Sequence, residues 1–186
     1  MVSLTSLAIP ILVSAVLVFV ASALIHMVLG YHRNDVRRLA DEDGVLDALR
    51  RLDIRPGDYA APHAGSAQGM KEPQFAEKMR KGPLVLMTIA RGEEPSMAKS
   101  LSLWFLYTIL VSLLTAYAAS LVLPPGTAYR AVFRVVSTVA FMGYSLALLQ
   151  HSIWYRRSWA TTVRSVFDGF VFALLTAGTF GWLWPR

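Results

Sequence analysis

From Ser165 to Trp184 the chain reads SVFDGFVFALLTAGTFGWLW, and Asp168 is the one charged side chain in it. As a helix such a stretch is about 30 Å long, the thickness of a bilayer's hydrocarbon core. Lipid offers no water to backbone N–H and C=O groups, so only helices and closed barrels cross it. Three further apolar blocks, Leu4 to Gly30, Leu101 to Leu123 and Ala131 to Tyr155, meet the same constraint. Together they raise the hydrophobic share of the 186 residues to 55%, too high for a soluble domain of this length. The sequence predicts an all-α membrane protein. It would be a four-transmembrane-helix bundle with helices at 4–30, 101–123, 131–155 and 163–184, and a cytoplasmic α/β-like insertion over 31–100. The first block has no Lys or Arg ahead of it and too long an apolar core for a signal peptide, so it is expected to stay as a helix.

Small residues recur at helical spacing. Gly169, Ala173, Ala177 and Gly181 form a stripe in the last block, and Thr108, Ser112, Ala116 and Ser120 form one in the second. Such stripes let helix backbones approach closely, the main source of association between helices in lipid. In the third block Ser137, Ala140, Tyr144, Ala147 and His151 are expected on one face.

The polar region has its own signals. A helical continuation is expected over Asp35 to Ala40, then a short helix capped by Asp43 with Val45, Leu46, Leu49 and Leu52 on one side. Pro56-Gly57 signals a turn, Tyr59 to Gln68 a loop, and a helical segment is expected from Pro73. Leu84 to Ala90 has strand composition with no visible partner, and Gly92 and Pro95 come after it. A lone strand is unstable, so it is expected to pair within a homo-oligomer, pair with a partner protein, or lie on the membrane.

Most of the 18 Lys and Arg residues lie between Arg33 and Lys99 or at Arg156, Arg157 and Arg164. The positive-inside rule then puts this side in the cytoplasm and both termini in the periplasm. Trp104, Trp154, Tyr155 and Trp159 would mark the inner interface, and Tyr129, Trp182 and Trp184 the outer. The net charge of +6 reflects those loops, and no nucleic-acid motif accompanies it. With no Cys, disulfides and thiolate chemistry are excluded.

The phrases PGDYAAPH (56–63), MKEPQF (70–75), GPLVLMT (82–88) and TAGTFGWLWP (176–185) resemble a group of small bacterial inner-membrane proteins. That resemblance implies a bacterial inner-membrane location and brings no activity with it.

Of the 12 acidic residues only Asp168 lies within an apolar block. Intramembrane carboxylates face a bundle interior and mark ion or proton sites. The simpler reading is an i, i+4 pair with Arg164. His26, His151 and Asp168 are expected at similar depth on three helices, with Tyr144 nearby. They form a candidate proton, ion or metal cluster, or two axial imidazoles for a haem. Interfacial packing and helix capping are the ordinary roles of such histidines. His26 and His32 stand six apart and share no helical face, so no chelating pair is expected of them. His63, in a loop, has no nameable nucleophile beside it. Phosphate loops, dinucleotide fingerprints and hydrolase elbows are missing. The sequence therefore favours a non-enzymatic accessory, assembly or interaction subunit without a cofactor. Its alternatives are a proton- or ion-coupled transporter or channel using Asp168, and a haem or metal protein using His26 and His151.

Overall fold

The computed structural model describes residues 2–90, 92 and 96–186. Arg91, counted above among the loop cations, and Pro95, read as bounding the strand, lie outside them. The chain divides into two compact units. One comprises the chain up to Val36 and from Ser96 onward, and the other the residues between.

Four helices are long and apolar enough to cross a membrane: α1 (Thr5–Leu29), α4 (Met97–Val122), α5 (Tyr129–Ile153) and α6 (Trp159–Leu183). Their exposed surface is apolar. Ile9, Leu106, Leu114 and Phe167 are each more than half exposed, which water penalises and lipid does not. Helix α1 packs against α4 and α6, and α5 packs against the same two, its contact with α6 being the most extensive.

The small-residue stripes explain these contacts. Gly169, Ala173 and Ala177 are buried, Gly181 is half-buried, and Thr108, Ser112, Ala116 and Ser120 are all buried. A Cβ at Gly169 would collide with Ser145 Oγ and stand 3.1 Å from the Tyr144 carbonyl, so α6 lies directly on the α5 backbone there. At Gly181 it would meet the Tyr129 ring at 2.7 Å. Ser112 accepts a hydrogen bond from Ser14 Oγ at 3.0 Å, joining α4 to α1. At one end Leu7, Ile11, Val132, Val136 and Phe180 close the interior around Ala116, Ala119 and Ala177. The Pro124–Gly126 turn is tied to the chain's last residues: Trp184 Nε1 donates to the Pro124 carbonyl at 3.0 Å and the Gly126 N–H to that of Pro185 at 2.9 Å.

The face expected on α5 holds only in part. Ala140 and Tyr144 are buried and Ser137 is half-buried, but Ala147 and His151 are exposed. A tighter 3-10 turn at Leu146–Leu148 interrupts the helix. It advances more per residue than the α-helix and rotates the last turns of α5, so Ser152 faces inward where His151 was expected. Tyr107 Oη donates to the Gly143 carbonyl at 2.7 Å beside this irregular stretch.

Helix α1 also ends differently from expectation. It widens into a π-type turn at Ile25–Leu29, and Gly30 then adopts φ 65°. Glycine takes that left-handed conformation without strain, which makes it the usual stop just beyond a helix. The chain folds back through Tyr31 to Asp35 as a turn, not as the continuing helix expected from Asp35.

In the second unit α2 (Glu42–Arg51) is capped by Asp41, not Asp43: Asp41 Oδ1 accepts from the Gly44 N–H at 3.0 Å. Glu42 and Asp43 instead fill its first turn, where acidic groups suit the helix dipole. Helix α3 spans Pro73–Lys81 and starts at the expected proline. The strand expected to be alone is not: β2 (Val85–Ile89) pairs antiparallel with β1 (Gly57–Ala61), Tyr59 opposite Met87. Asp58 Oδ1 accepts from Thr88 Oγ1 at 2.6 Å across the pair.

The close packing of α6 on α5 makes its glycine sensitive. Gly169→Val is expected to lower the thermal midpoint in detergent by the equivalent of about 1–3 kcal/mol through overpacking. Lipid-facing Phe167→Leu leaves it nearly unchanged. In the cysteine-free chain, Tyr59→Cys with Met87→Cys is expected to form a disulfide within one chain. A disulfide-linked dimer on a non-reducing gel would show the strands pairing between molecules.

Candidate functional site

The interior opens at the end opposite the Leu7/Phe180 packing. There Phe19, Ser22, Ala23 and His26 of α1, Leu101, Trp104 and Tyr107 of α4, Tyr144 and Leu148 of α5, and Ser165, Asp168 and Phe172 of α6 line a cavity of about 880 Å³. Its wall is mainly apolar, and its polar groups include His26, Asp168, Ser22 and Tyr144. Trp104, expected as an interface anchor, belongs to this wall, because α4 begins at Met97 and puts it two turns in. Its indole N–H donates to Ser22 Oγ at 2.8 Å.

Asp168 is 4% exposed. It lies about 14 Å along α6 from Trp159, within the apolar span. It does not pair with Arg164, the simpler expectation. Arg164 reaches instead to Asp35, donating from Nε at 3.0 Å and Nη2 at 2.5 Å to Oδ1. The other oxygen of Asp35 accepts from His32 Nδ1 at 2.6 Å. His32 Nε2 stands 2.8 Å from Asp168 Oδ2, and Tyr31 Oη donates to Asp168 Oδ1. A chain of contacts thus runs Arg164–Asp35–His32–Asp168–Tyr31. It joins the turn after α1 to the first half of α6.

The His32–Asp168 link differs from the others. At 2.8 Å it is close enough for an ion pair, yet Nε2 lacks an aligned hydrogen-bond partner. Proximity is present and the directed N–H···O bond is not.

His26 completes the group. Its Nδ1 is 2.9 Å from the Ser22 carbonyl, which can only accept, so Nδ1 is the donor and, in the neutral ring, Nε2 has the free lone pair. The His26 and His32 rings stack with centroids 4.6 Å apart and planes within 4°. The expectation that these two share no face fails because it assumed a continuous helix, and Gly30 breaks it. One potential ligand atom from each of His26, His32 and Asp168 lies within 4.8 Å of the other two. His151 stands outside this group. It is exposed, and its ring lies beside Tyr155. Tyr144 is buried on the cavity wall, its hydroxyl without an accepted hydrogen-bond geometry. His63 sits in a local turn where Nδ1 accepts from the Gly65 N–H at 3.1 Å.

Two groups of the cluster beyond the spans have displaced acidities. Burial and the hydrogen bond to Asp168 push the Tyr31 phenol up. Burial pushes Asp35 up as well, but hydrogen bonds from His32 and Arg164, with their charges, outweigh it and hold the carboxyl below its usual value. Sequence reasoning missed Tyr31 and Asp35 as members, paired Arg164 with Asp168 instead of Asp35, and dismissed His32. The signal was Gly30, a helix stop directly ahead of YHRND.

Protein-family models, curated proteins and solved structures give no match to this chain, so the functional reading rests on its own geometry.

Arg164→Gln strands Asp35 in a largely buried place, and is expected to cost about 1–3 kcal/mol, partly recovered in Arg164→Gln/Asp35→Asn. Because the folded pKa of Asp35 is lowered, its stabilisation is present above pH ~3.9 and lost as pH falls through the folded value. The gap between wild type and Arg164→Gln is therefore expected to narrow in strong acid, read by thermal unfolding in acid-tolerant detergent.

Proposed function

We propose that this chain is a four-helix integral membrane protein that binds a small amphiphilic molecule in the cavity between its spanning helices. The observation that carries the reading is the buried Asp168 carboxylate at the edge of an otherwise apolar cavity lined by all four helices. An apolar body against Phe19, Leu101, Trp104 and Phe172, with a polar end at Asp168 and His26, matches that lining. Concave, mainly apolar sites with a few convergent polar groups are the usual form of small-molecule sites.

The finer topology belongs to the same proposal. The excess of basic residues near the loops that flank the cavity end supports a cytoplasmic 37–95 unit and periplasmic termini. The resemblance to bacterial inner-membrane proteins supports that membrane. The reading as an accessory, assembly or interaction subunit, in a homo-oligomer or with a partner membrane protein, draws less support from the two features that motivated it. The strand β2 finds β1 in its own chain, and the small-residue stripes are covered by the chain's own helices.

Filling the cavity tests the proposal. Wild type and Ala23→Phe are extracted gently from native membranes, and bound small molecules are identified by mass spectrometry. Wild type is expected to carry one amphiphile in near-stoichiometric amount. Ala23→Phe should lose it about tenfold, the equivalent of 1.4 kcal/mol. Equal retention by both proteins, or a stoichiometric protein partner and no amphiphile, would sink the reading. Passage of the molecule across a reconstituted bilayer would make binding a step of transport.

A further inference from the structure

The structure assigns a second role to the cavity end: we infer that His26, His32 and Asp168 form a site for one divalent transition-metal ion, bound through two imidazole nitrogens and one carboxylate. This goes beyond amphiphile binding and does not depend on it.

The donor set selects the ion. Two imidazoles and a carboxylate suit zinc and ferrous-type ions better than magnesium or calcium, which prefer all-oxygen shells. With both rings neutral the three residues carry one negative charge, which a divalent ion more than compensates. Asp35 adds no excess charge, because Arg164 pairs with it. Among the described residues no Lys or Arg pairs with Asp168.

The ligands are also oriented. Metal-binding histidines almost always donate the other ring N–H to a carbonyl or carboxylate, which fixes the tautomer and aims the free nitrogen. Both histidines do so here: Nδ1 of His26 toward the Ser22 carbonyl, and Nδ1 of His32 toward Asp35, itself held by Arg164. Asp168 has its own support, with Oδ1 accepting from Tyr31 while Oδ2 faces His32. Three ligands thus arrive with their outer partners in place.

The unaligned contact points the same way. With Nδ1 as donor, a neutral His32 leaves Nε2 without a proton 2.8 Å from Asp168 Oδ2, its in-plane lone pair aimed to one side of that oxygen. Two lone pairs that close repel unless a cation lies between them. A hydrogen bond needs the Nε2 direction in line with the oxygen, and Nε2 has no aligned partner. An ion bound to both atoms needs no such alignment.

Size is compatible. Ligands ~2.0–2.1 Å from a tetrahedral ion stand ~3.3 Å apart, so a set within 4.8 Å closes with a shift of at most roughly 1.5 Å. The stacked rings keep their in-plane lone pairs parallel, so binding one ion requires the exposed His26, on the wide last turn of α1, to turn out of the stack as it makes that shift. Three protein ligands leave further positions open beside the cavity that His26 and Asp168 line, the pattern of a working rather than a purely structural site.

The test uses the full chain without a polyhistidine tag, in detergent or nanodiscs, stripped with a chelator and titrated with Co²⁺. The expected result is one Co²⁺ per chain with visible d–d absorbance, displaced by Zn²⁺. Affinity should fall at least ~10-fold in His26→Gln, His32→Gln and Asp168→Asn, and about as much in Asp35→Asn, which removes only an outer partner. His63→Gln and His151→Gln should bind as wild type does. Since Asp168→Asn can disturb folding, the exposed His26→Gln carries the comparison, with helicity and gel-filtration profile as folding checks. A folded wild type that gives no Co²⁺ spectrum and retains no Zn²⁺ overturns the inference. So does unchanged affinity in both His26→Gln and His32→Gln. Loss of the amphiphile with metal binding intact, or the reverse, separates this site from the cavity reading.

Discussion

A carboxylate inside an apolar helix must be matched by something, because an uncompensated charge there costs several kcal/mol. In this chain the match is supplied from outside α6, by the turn just beyond α1. Asp168 meets Tyr31 and His32, His32 meets Asp35, and Asp35 meets Arg164, which returns to α6 one turn before Asp168. The circuit fixes how α1 ends and where its closing turn sits against α6. It also keeps polar groups at the edge of a cavity that hydrophobic packing would otherwise have closed.

The spanning helices divide the remaining work by residue size. Toward Leu7, Val132 and Phe180 the small residues let backbones approach and the interior fills. Toward His26, Met97, Leu148 and Ser165 large aromatic residues leave a cavity: Tyr144 stands edge to face with Tyr107 and Phe172, and Trp104 stacks on Tyr107 and tilts against Phe172. The helices are therefore closely packed at one end and open at the other, with His26 and Asp168 at the open end. A site that is to be reached and also held in shape needs both.

Composition and helical spacing made much of this legible. The four apolar blocks became four long helices, and the 108–120 and 169–181 stripes became contact faces. What spacing could not reveal lies where the backbone leaves regular geometry. Gly30 turned Tyr31, His32 and Asp35 back onto α6, and the 3-10 turn at Leu146–Leu148 rotated His151 outward. A reading that extends helices by their period misplaces every residue beyond such a point. The strand β1 was hidden for another reason: Gly57-Asp58-Tyr59-Ala60-Ala61 has poor strand propensity, and only its pairing with Val85–Ile89 makes it one.

The contact on which the whole site depends is His32 with Asp168, and it can be measured in lipid. Solid-state NMR on the full chain in bilayers, with ¹⁵N in the imidazole and guanidinium groups and ¹³C in the aspartate carboxyls, reads the dipolar couplings between them. Strong transfer is predicted from His32 Nε2 to the Asp168 carboxyl, at the range of a ~3 Å N···O approach, and from His32 Nδ1 to Asp35. Transfer from His32 to neither carboxyl, with the Asp168 carboxyl coupled instead to Arg164, would contradict it.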